Sequence, residues 1–540
     1  MSTIVKLKKG LDRKIWQQMT PTPITNAAGH FTITAPTGRD KVALLIASVA
    51  LHYLYNHLED AWLALPASGI AGTFAAGACG VFHQNGPTGT ATAGTTTTIT
   101  TNLTIPRSLK GVMVRITAGP NAGEEREILS NTIGANSVIT LKDPFGTAIT
   151  ASSQYLILSG RFYFFNAGTT AVGFKYYDRA TNTWSVALSV AGLPTAWGTD
   201  GKLVAPYSAR RRSTEQFVVS ATATTLVSPM TYETDEHKTR LVRITSGTGI
   251  GQVRTITSHT SNTLTIDTAW SVTPDTTSVF VIEGKVSGMA SSATGTTLVH
   301  TGKTWTVNQW AKSQVRIVEG TGVGQVRNIT SNTADTLTVP AWGTNPDATS
   351  RYVIEPSDDY MFLMGNNAVT LYQYQISANT WSTLTPGVAR AGAAATGFSA
   401  NVPTNITDKA WLNENAYLNG RLIYSFRGGA TATLDYYDIA LNTWTNGLVY
   451  GNQTETFTSG SSYDVDGDNI YIIKEATGRA FRFNVPMNLL DPFSTLLYPQ
   501  GAATVGDKLW TWSFVDGPTE IKYVYNLTHT STAVNRVQII

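Results

Sequence analysis

The chain has 540 residues, of which 42% are hydrophobic and only 14% are charged, and its formal net charge is +3. So small a charge on so long a chain does not predict a nucleic-acid partner. The abundance of Thr, Ser, Gly, Tyr and Trp is typical of extended β-proteins. The single cysteine, Cys79, excludes disulfides within the chain, so packing and β-ladders must stabilise the fold.

The N-terminal segment, residues 1–28, mixes apolar residues with Lys and Arg and ends after a TPTP sequence. We expect it to be an arm that docks on another subunit, with a flexible tail as the alternative. It has no apolar core of a secretory signal. The most apolar stretch, VALLIASVALHYLY, is interrupted by His52 before it reaches a membrane-spanning length. We therefore expect a chain made in a cytoplasm and not inserted into a membrane.

A sequence motif in which an aromatic residue lies seven positions before a tryptophan occurs four times. One copy is YYDRATNTW, ending at Trp184, and another is YQYQISANTW, ending at Trp381. The four pairs are Tyr55 and Trp62, Tyr177 and Trp184, Tyr374 and Trp381, and Tyr437 and Trp444. Because a short turn separates the two members, we expect them on neighbouring strands of one sheet, packing against the adjacent sheet.

Two more aromatic markers, Phe483-Asn484 and Tyr525-Asn526, lack the tryptophan and bring the repeat to six copies. The distances between copies become regular, at roughly 40 to 60 residues, once insertions in the second and third copies are removed. Units of this length with four short strands are typical of propeller blades. The repeat therefore predicts six blades.

The insertions are themselves a repeat, with one copy in the second blade and two in the third. They occupy residues 88–158 (module 1), 214–284 (module 2) and 287–356 (module 3). Each contains a VRI or similar strand, a Gly-rich turn, a QVRxIT-like strand, and TLT and YVIE-like strands, which predicts a compact antiparallel β unit. The Gly-rich turn lacks the strand-to-helix context of a phosphate-binding loop, so we expect a hairpin or bulge.

Every module carries two arginines eleven positions apart. They are Arg115 and Arg126, Arg243 and Arg254, and Arg316 and Arg327. We expect them to form ladders on the module surface or to pair with Asp275 and Asp347, with contact to a polyanion as a minor alternative.

Both insertions open between the first and second strands of their blades, so we expect the modules to stand together on one face. These boundaries divide the chain into the following expected segments. They are the arm over 1–28, blade 1 and the start of blade 2 over 29–87, module 1, the blade segment 159–213, modules 2 and 3, and the remaining blades over 357–540.

The six-copy repeat resembles the kelch-type β-propellers, which carry a Gly-containing turn and a similar spacing from aromatic residue to Trp; the Gly-Gly pair of that family is present as Gly428-Gly429. The module pattern GTGxGQxRxIT…PDxTSxYxIE is similar to units of bacteriophage virion proteins, especially tail and fibre components. Together these resemblances imply an all-β fold: a six-bladed kelch-like β-propeller with three inserted antiparallel β modules.

The same resemblances imply a structural virion protein, most simply of the phage tail, as a nozzle, baseplate or fibre-attachment component. Its expected partners are tail or portal-proximal subunits, fibres and further copies of itself. Nucleic acid is not an expected partner, except as the genome that passes through the particle. A head decoration protein is compatible with the same features.

No catalytic set stands out, so we expect a protein that is not an enzyme and has no cofactor or metal. The eight histidines are scattered, and sialidase-type Asp boxes are missing. The series Asp464, Asp466 and Asp468 lacks the Glu of a calcium loop, which favours a hairpin turn. The small neighbours of Cys79 favour a buried structural thiol over an oxidase cofactor.

Host recognition is the alternative function from another class. In that hypothesis exposed tryptophans of the modules stack on cell-surface glycans. The candidates are Trp270, Trp305, Trp310 and Trp342.

Overall fold

The computed structural model describes a large part of the chain, with gaps. It covers residues 17–24, 31–34, 42–46, 52–56, 60–69, 78–167, 172–194, 202–205, 216–232, 234–235, 237–283, 286–364, 370–384, 422–426, 432–449, 455–457, 462–466, 469–474, 479–484, 488–492, 508–516, 519–527 and 533–538. These residues form strands, turns and bends without a helix, which confirms the all-β prediction. In this described part no helix is long and apolar enough to cross a membrane. Gly428 and Gly429 lie outside it.

In the described part of the chain, and with the inserted modules set aside, six antiparallel sheets follow one another, each formed mainly by consecutive strands. Sheet 1 contains Phe31–Thr34, Val42–Ile46, His52–Asn56 and Ala61–Leu65. Sheet 2 contains Cys79–His83, Arg161–Ala167, Val172–Asp178 and Thr183–Trp184. Sheet 3 contains Lys202–Val204, Tyr360–Met364, Leu371–Gln375 and Thr380–Thr383.

The last three sheets come from the C-terminal part of the chain. Sheet 4 contains Leu422–Phe426, Thr433–Asp438 and Thr443–Val449. Sheet 5 contains Ser462–Asp466, Asn469–Lys474, Arg479–Asn484 and Leu489–Pro492. Sheet 6 contains Lys508–Asp516, Thr519–Leu527 and Val534–Gln538, and its fourth strand is Gln17–Met19.

The fourth strand of sheet 6 corrects the expectation that the whole of 1–28 is an arm outside the blades. Gln17 is paired with Arg536, and Met19 with Val534, in antiparallel register. Among the described residues the C-terminal segment supplies three strands to this sheet, and the N-terminal strand pairs with the outer edge of the last of them and satisfies its backbone groups. Residues 1–16 lie outside the described part.

Aromatic and aliphatic side chains fill the spaces between consecutive sheets. One core joins sheets 2 and 3, a second joins sheets 3 and 4, and a third joins sheets 4 and 5. Sheets 6 and 1 share a fourth core, in which the rings of Tyr55 and Tyr525 are 5.9 Å apart. The first strand of sheet 1 lies beside the first strands of sheets 2 and 6, and the first strands of sheets 5 and 6 are also neighbours.

The three modules are inserted after the first strands of sheets 2 and 3. Module 1 contains Thr88–Thr90, Ala93–Gly94, Thr98–Thr100, Met113–Ala118, Glu125–Asn131, Val138–Leu141 and Gln154–Ile157. Module 2 contains Gln216–Phe217, Ser220–Ala221, Thr225–Val227, Leu241–Ser246, Val253–His259, Thr263–Ile266 and Val279–Ile282. Module 3 contains Ser287–Met289, Ser292–Thr294, Thr297–Val299, Ser313–Glu319, Val326–Asn328, Ser331–Asn332, Thr336–Thr338 and Arg351–Pro356.

The modules share one strand order, in which the first strand pairs with the last and the last pairs with the VRI strand. The QVRxIT strand bends where its register shifts, between Ile128 and Ser130 in module 1 and between Ile256 and Ser258 in module 2. In module 3 the same strand is broken in two. This irregularity allows the strands of each module to curve around an apolar core.

A left-handed residue precedes the VRI strand at the same place in all three modules. The φ angles of Gly111, Thr239 and Lys312 are 85°, 69° and 62°. Their N–H groups donate to the carbonyls of equivalent isoleucines at 2.8, 2.8 and 2.9 Å. Two of these three residues are not glycine, and Thr239 is β-branched, so the surrounding module must impose a conformation that these residues rarely adopt.

Candidate functional site

The first arginine of each module pairs with a glutamate, and this pairing was not predicted from the sequence; Arg115 and Arg316 are buried, and Arg243 is partly buried. Arg115 Nε donates to Glu125 Oε1 at 2.7 Å in module 1. Arg243 Nε donates to Glu283 Oε1 at 2.7 Å in module 2. The equivalent bond in module 3 joins Arg316 Nε to Glu355 Oε1 at 3.2 Å.

These pairs continue from one module to the next. Arg243 of module 2 lies 3.9 Å from Glu125 of module 1, and Arg316 of module 3 lies 3.3 Å from Glu283 of module 2. We call the six side chains the charge cluster. It consists of Arg115, Glu125, Arg243, Glu283, Arg316 and Glu355. Three positive and three negative groups balance each other, as burial of charge requires.

Electrostatics favour the charged form of the arginine at the end of the cluster. Burial alone would lower the pKa of Arg316, but the carboxylates of Glu355 and Glu283 raise it above its usual value. Gln314 also donates to Glu355 at 3.0 Å, so a neutral side chain satisfies part of the carboxylate. The cluster is therefore a set of mutually dependent ion pairs, in which Arg243 and Arg316 each also pair with a glutamate of the preceding module.

The Gly-rich turns of modules 1 and 3 meet backbone to backbone. A Cβ atom on Gly123 would lie 2.9 Å from Gly324 N, and a Cβ on Gly324 would lie 2.6 Å from Gly123 N. The equivalent Gly251 of module 2 approaches the Glu124 carboxylate of module 1. Both glycines of the close pair also have left-handed φ angles. The predicted turns are thus contact points between modules.

Modules 2 and 3 share a second, outer ionic contact. Arg351 of module 3 donates to Asp267 of module 2 at 2.8 Å and pairs with its own Glu319, which lies 3.6 Å from Arg254 of module 2. Burial would raise the pKa of Asp267, but hydrogen bonds from Arg351 and from the Thr255 N–H hold it below its usual range. The contact therefore holds Asp267 as a carboxylate.

The second arginine of each module stabilises its own loop. Arg126 Nε, Arg254 Nε and Arg327 Nε donate to the carbonyls of Pro144, Ala269 and Ala341. Each guanidinium also lies over an aromatic ring, that of Phe145, Trp270 or Trp342, at 4.6, 5.4 and 5.6 Å. These contacts combine hydrogen bonding with cation–π attraction.

Asp275 and Asp347 do not pair with the arginines, so that expectation was wrong. Asp275 accepts hydrogen bonds from Thr277 and Thr248 at 2.6 and 2.8 Å. Asp347 accepts from Thr349 and Thr321 at 2.6 and 2.7 Å. These hydrogen bonds hold the pKa of both carboxyls below the usual range. Short local turns occupy the carboxylates, and the arginines point into the modules instead.

Polar contacts anchor the modules to the sheets. Arg107 of module 1 donates to Tyr177 Oη at 3.0 Å in sheet 2. His83 Nε2 lies 2.7 Å from the carbonyl of Asp358, which directly follows module 3, and Asn85 donates to the Asp358 carboxylate at 2.7 Å. Burial lowers the pKa of His83 to about 4 and raises that of Asp358. The imidazole is thus neutral and donates through Nε2.

The four predicted aromatic pairs lie directly opposite each other on neighbouring strands. The ring centroids are 4.8 Å apart for Tyr55 and Trp62, 5.4 Å for Tyr177 and Trp184, 4.9 Å for Tyr374 and Trp381, and 5.4 Å for Tyr437 and Trp444. Register pairs the two members in each sheet.

Each pair is completed by a turn residue and by a contact outside its own sheet. Tyr374 Oη donates at 2.7 Å to Asn379, whose φ is 52°. The same bond joins Tyr177 to Asn182 and Tyr437 to Asn442, and Asp60 takes this role for Tyr55. In the second and third pairs the indole N–H group donates to the segment that follows the preceding sheet. Trp184 donates to the Pro66 carbonyl at 2.9 Å, and Trp381 to the Ser189 carbonyl at 2.8 Å.

The four tryptophans proposed to stack on glycans lie inside the modules, which corrects that expectation. The exposed fractions of Trp270, Trp305, Trp310 and Trp342 are 5%, 3%, 0% and 7%. Trp270 belongs to the core of module 2 and the other three to the core of module 3. A sugar would need an open ring face, and apolar neighbours and arginines cover these rings.

No group of three or more His, Cys, Asp or Glu side chains among the described residues could hold a metal ion. Asp464 and Asp466 lie on a strand that forms a hairpin, with Asp466 paired to Asn469. Asp468 lies outside the described part of the chain. Cys79 is a buried thiol in sheet 2, as its small neighbours predicted.

Comparison of the sequence with protein-family models and with curated proteins gives no match. Among solved structures, the chain is similar to an auxiliary nutrient binding protein from Bacteroides ovatus, with 11% identity and a TM-score of 0.21. The similarity covers 59% of this chain and 85% of that protein. A TM-score of this size does not establish a shared arrangement, so we base neither fold nor function on it.

Proposed function

We propose that the six sheets are the blades of one closed, kelch-like propeller. Every consecutive pair of sheets is in contact, through a shared core or through adjacent first strands. The strand Gln17–Met19 completes sheet 6, so the two ends of the chain meet in one sheet. A ring closed by pairing of the chain ends has no free blade edge at the junction.

A truncation tests the closure of the ring. Removal of residues 1–19 should leave Val534–Gln538 as an open edge, so its amides should exchange with solvent faster. Removal of residues 1–10 is the matched control, because it leaves the Gln17–Met19 strand in place. Hydrogen exchange measured by mass spectrometry would contradict closure if the two truncated proteins behaved alike and kept full protection of that strand.

We further propose that the protein is a structural component of a bacteriophage particle, acting through contacts between subunits in the tail. The observation that carries this proposal is the charge cluster, which couples three phage-type modules into one body. Contacts such as Arg107 to Tyr177 then fix this body on sheets 2 and 3. A rigid, multi-module platform is suited to bearing neighbouring subunits, which bind through large surfaces.

Immunolabelling of intact particles tests this proposal. Antibodies against modules 2 and 3 would be imaged on virions by electron microscopy, with an antibody against a major head protein as reference. Label at the tail is the expected result, and label over the head would identify a decoration protein. Failure to label particles, with binding to disrupted particles also absent, would contradict a virion role.

A further inference from the structure

The modules use one position to bind the segment that precedes the VRI strand, and the residue there differs in module 2. In module 1, Asn131 Oδ1 accepts the Leu109 N–H at 2.7 Å, and its Nδ2 donates to the Thr132 carbonyl at 3.0 Å. In module 3, Asn332 makes the equivalent bonds with the Trp310 N–H and the Thr333 carbonyl, both at 2.8 Å.

His259 occupies this position in module 2 and makes the same two contacts. Its Nε2 accepts the His237 N–H at 2.7 Å, and its Nδ1 lies 2.7 Å from the Thr260 carbonyl. A carbonyl only accepts, so Nδ1 carries the hydrogen, and Nε2 must keep its lone pair to accept from the backbone. The contacts therefore require the neutral imidazole, and this side chain is only 3% exposed.

We propose that His259 is an acid-sensitive latch, which makes module 2 the pH-responsive member of the three modules. Protonation of Nε2 turns the acceptor into a donor that faces the His237 N–H, so the bond is lost and a buried donor is left unsatisfied. Imidazole changes its charge between about pH 5 and 8, whereas the amides of Asn131 and Asn332 do not titrate.

The charged groups around the latch lie on the bound segment and just before it in the chain. Arg240 lies 2.9 Å from His237 Nδ1, and the ring of Tyr232 contacts both imidazoles. The Asp235 carboxylate accepts the His259 backbone N–H at 3.0 Å, and Lys238 lies 3.8 Å from Asp235. The Asp235 carboxylate thus contacts the backbone of His259 and not its ring. The positive guanidinium of Arg240 lies beside the imidazole of His237.

The latched segment leads to the junction between modules 2 and 3. Arg240 Nε donates to the Glu283 carbonyl at 2.9 Å, and Glu283 is a member of the charge cluster. Ser287, in the first strand of module 3, donates to the Thr239 carbonyl at 3.5 Å. Release of the segment in acid would therefore loosen the junction at one defined point.

Hydrogen exchange on the full chain at pH 7.5 and pH 5.5 tests the latch, with rates corrected for intrinsic exchange. In the wild type, protection of segment 237–241 should fall by about tenfold more in acid than that of the equivalent segments of modules 1 and 3. The variant His259→Asn copies modules 1 and 3 and should keep its protection at both values. The reverse variant, Asn332→His, should bring the acid response to module 3.

Two results would overturn the latch. One is an unchanged acid response in His259→Asn, and the other is an equal fall in protection of the three equivalent segments in the wild type between pH 7.5 and pH 5.5. If His259→Asn failed to fold, Asn332→His would still decide, because a folded variant without an acid response in module 3 contradicts the proposal. The experiment measures protection of individual segments, so an effect of acid at His83 would not produce a specific loss of protection in segment 237–241.

Discussion

Arg316 of module 3 pairs with Glu283 of module 2 at 3.3 Å, and the two side chains are only 4% and 3% exposed. A buried charge is costly unless its partner is present, so each module stabilises the ionised groups of its neighbour. The modules of this chain are therefore one cooperative body, although each has its own apolar core.

Removal of one carboxylate from the cluster should be strongly destabilising. Glu283→Gln removes the carboxylate that pairs with both Arg243 and Arg316, so one positive charge in the cluster has no negative partner. This change should lower the free energy of unfolding by about 3–5 kcal/mol. Lys142→Gln is the control, because Lys142 pairs with Glu127 at 3.1 Å but is 38% exposed, and it should cost about 1 kcal/mol or less. Urea denaturation compares the two; similar small effects would contradict the cluster's role.

The close approach of two glycines predicts a steric effect between modules. Gly324→Ala places a methyl group against Gly123 N, and should cost more than the left-handed φ penalty of about 1 kcal/mol. Gly302→Ala is matched in φ, with 92° against 89°, but a Cβ there has no atom within 4 Å. Thermal denaturation should show a clearly larger decrease in Tm for Gly324→Ala, and equal decreases would show that the turns can separate without cost.

The turn residue that accepts a hydrogen bond from the tyrosine of each aromatic pair should be replaceable only by a residue that also accepts this bond and tolerates a left-handed φ. Asn379 accepts from Tyr374 Oη and from the Ser189 N–H. Asn379→Ala loses both bonds and should cost about 2–3 kcal/mol. Asn379→Asp should cost less, because Asp60 already fills this role in sheet 1. Chemical denaturation tests the order, and an equal or greater loss for Asn379→Asp would refute it.

Acid should weaken the protein through His83. Its pKa is about 4 in the folded chain against 6.5 in the unfolded one, so between these values only the unfolded state binds the proton. The associated stability is present above pH 6.5 and is lost as the pH falls toward 4, by about 2 kcal/mol between pH 7.5 and 5. The raised pKa of Asp358 acts in the opposite direction, since protonation favours the folded form.

The contribution of His83 is isolated by comparing the pH slopes of two proteins. Urea midpoints of the wild type and of His83→Asn would be measured across this range. The variant should start less stable at pH 7.5 and show a shallower decline toward pH 5. Parallel slopes would contradict the assignment of this pH dependence to buried His83.

Local patterns in the sequence predicted the strands and the aromatic pairs well. The seven-residue spacing between Tyr177 and Trp184 predicted opposite positions across a turn, because Asn182 adopts the left-handed φ that a tight turn needs. The repeats also located the insertions, since a module cannot interrupt a paired strand without breaking its ladder. These features depend on residues that are close along the chain.

The charge cluster was within reach of the sequence but was missed. The last strands of modules 2 and 3 contain VI followed by Glu. Glu283 directly follows the Val279–Ile282 strand of module 2, and Glu355 pairs with Gln314 of the VRI strand in module 3. Module 1 has Leu158 at that place and carries Glu125 on the facing strand instead. The signal was an acidic residue at the end of an otherwise apolar strand, which is a costly place for a charge without a partner.

By itself the sequence determined the all-β class, the repeat boundaries and the turn chemistry, because these follow from spacing and from backbone conformations of single residues. Only the tertiary structure decided that Trp310 is core and not a sugar platform, that the arginines point inward, and that Gln17–Met19 closes sheet 6. Amphipathic and charged side chains are stable in water or in a well-paired interior. The choice depends on partners that lie far away along the chain and come together only in the folded protein.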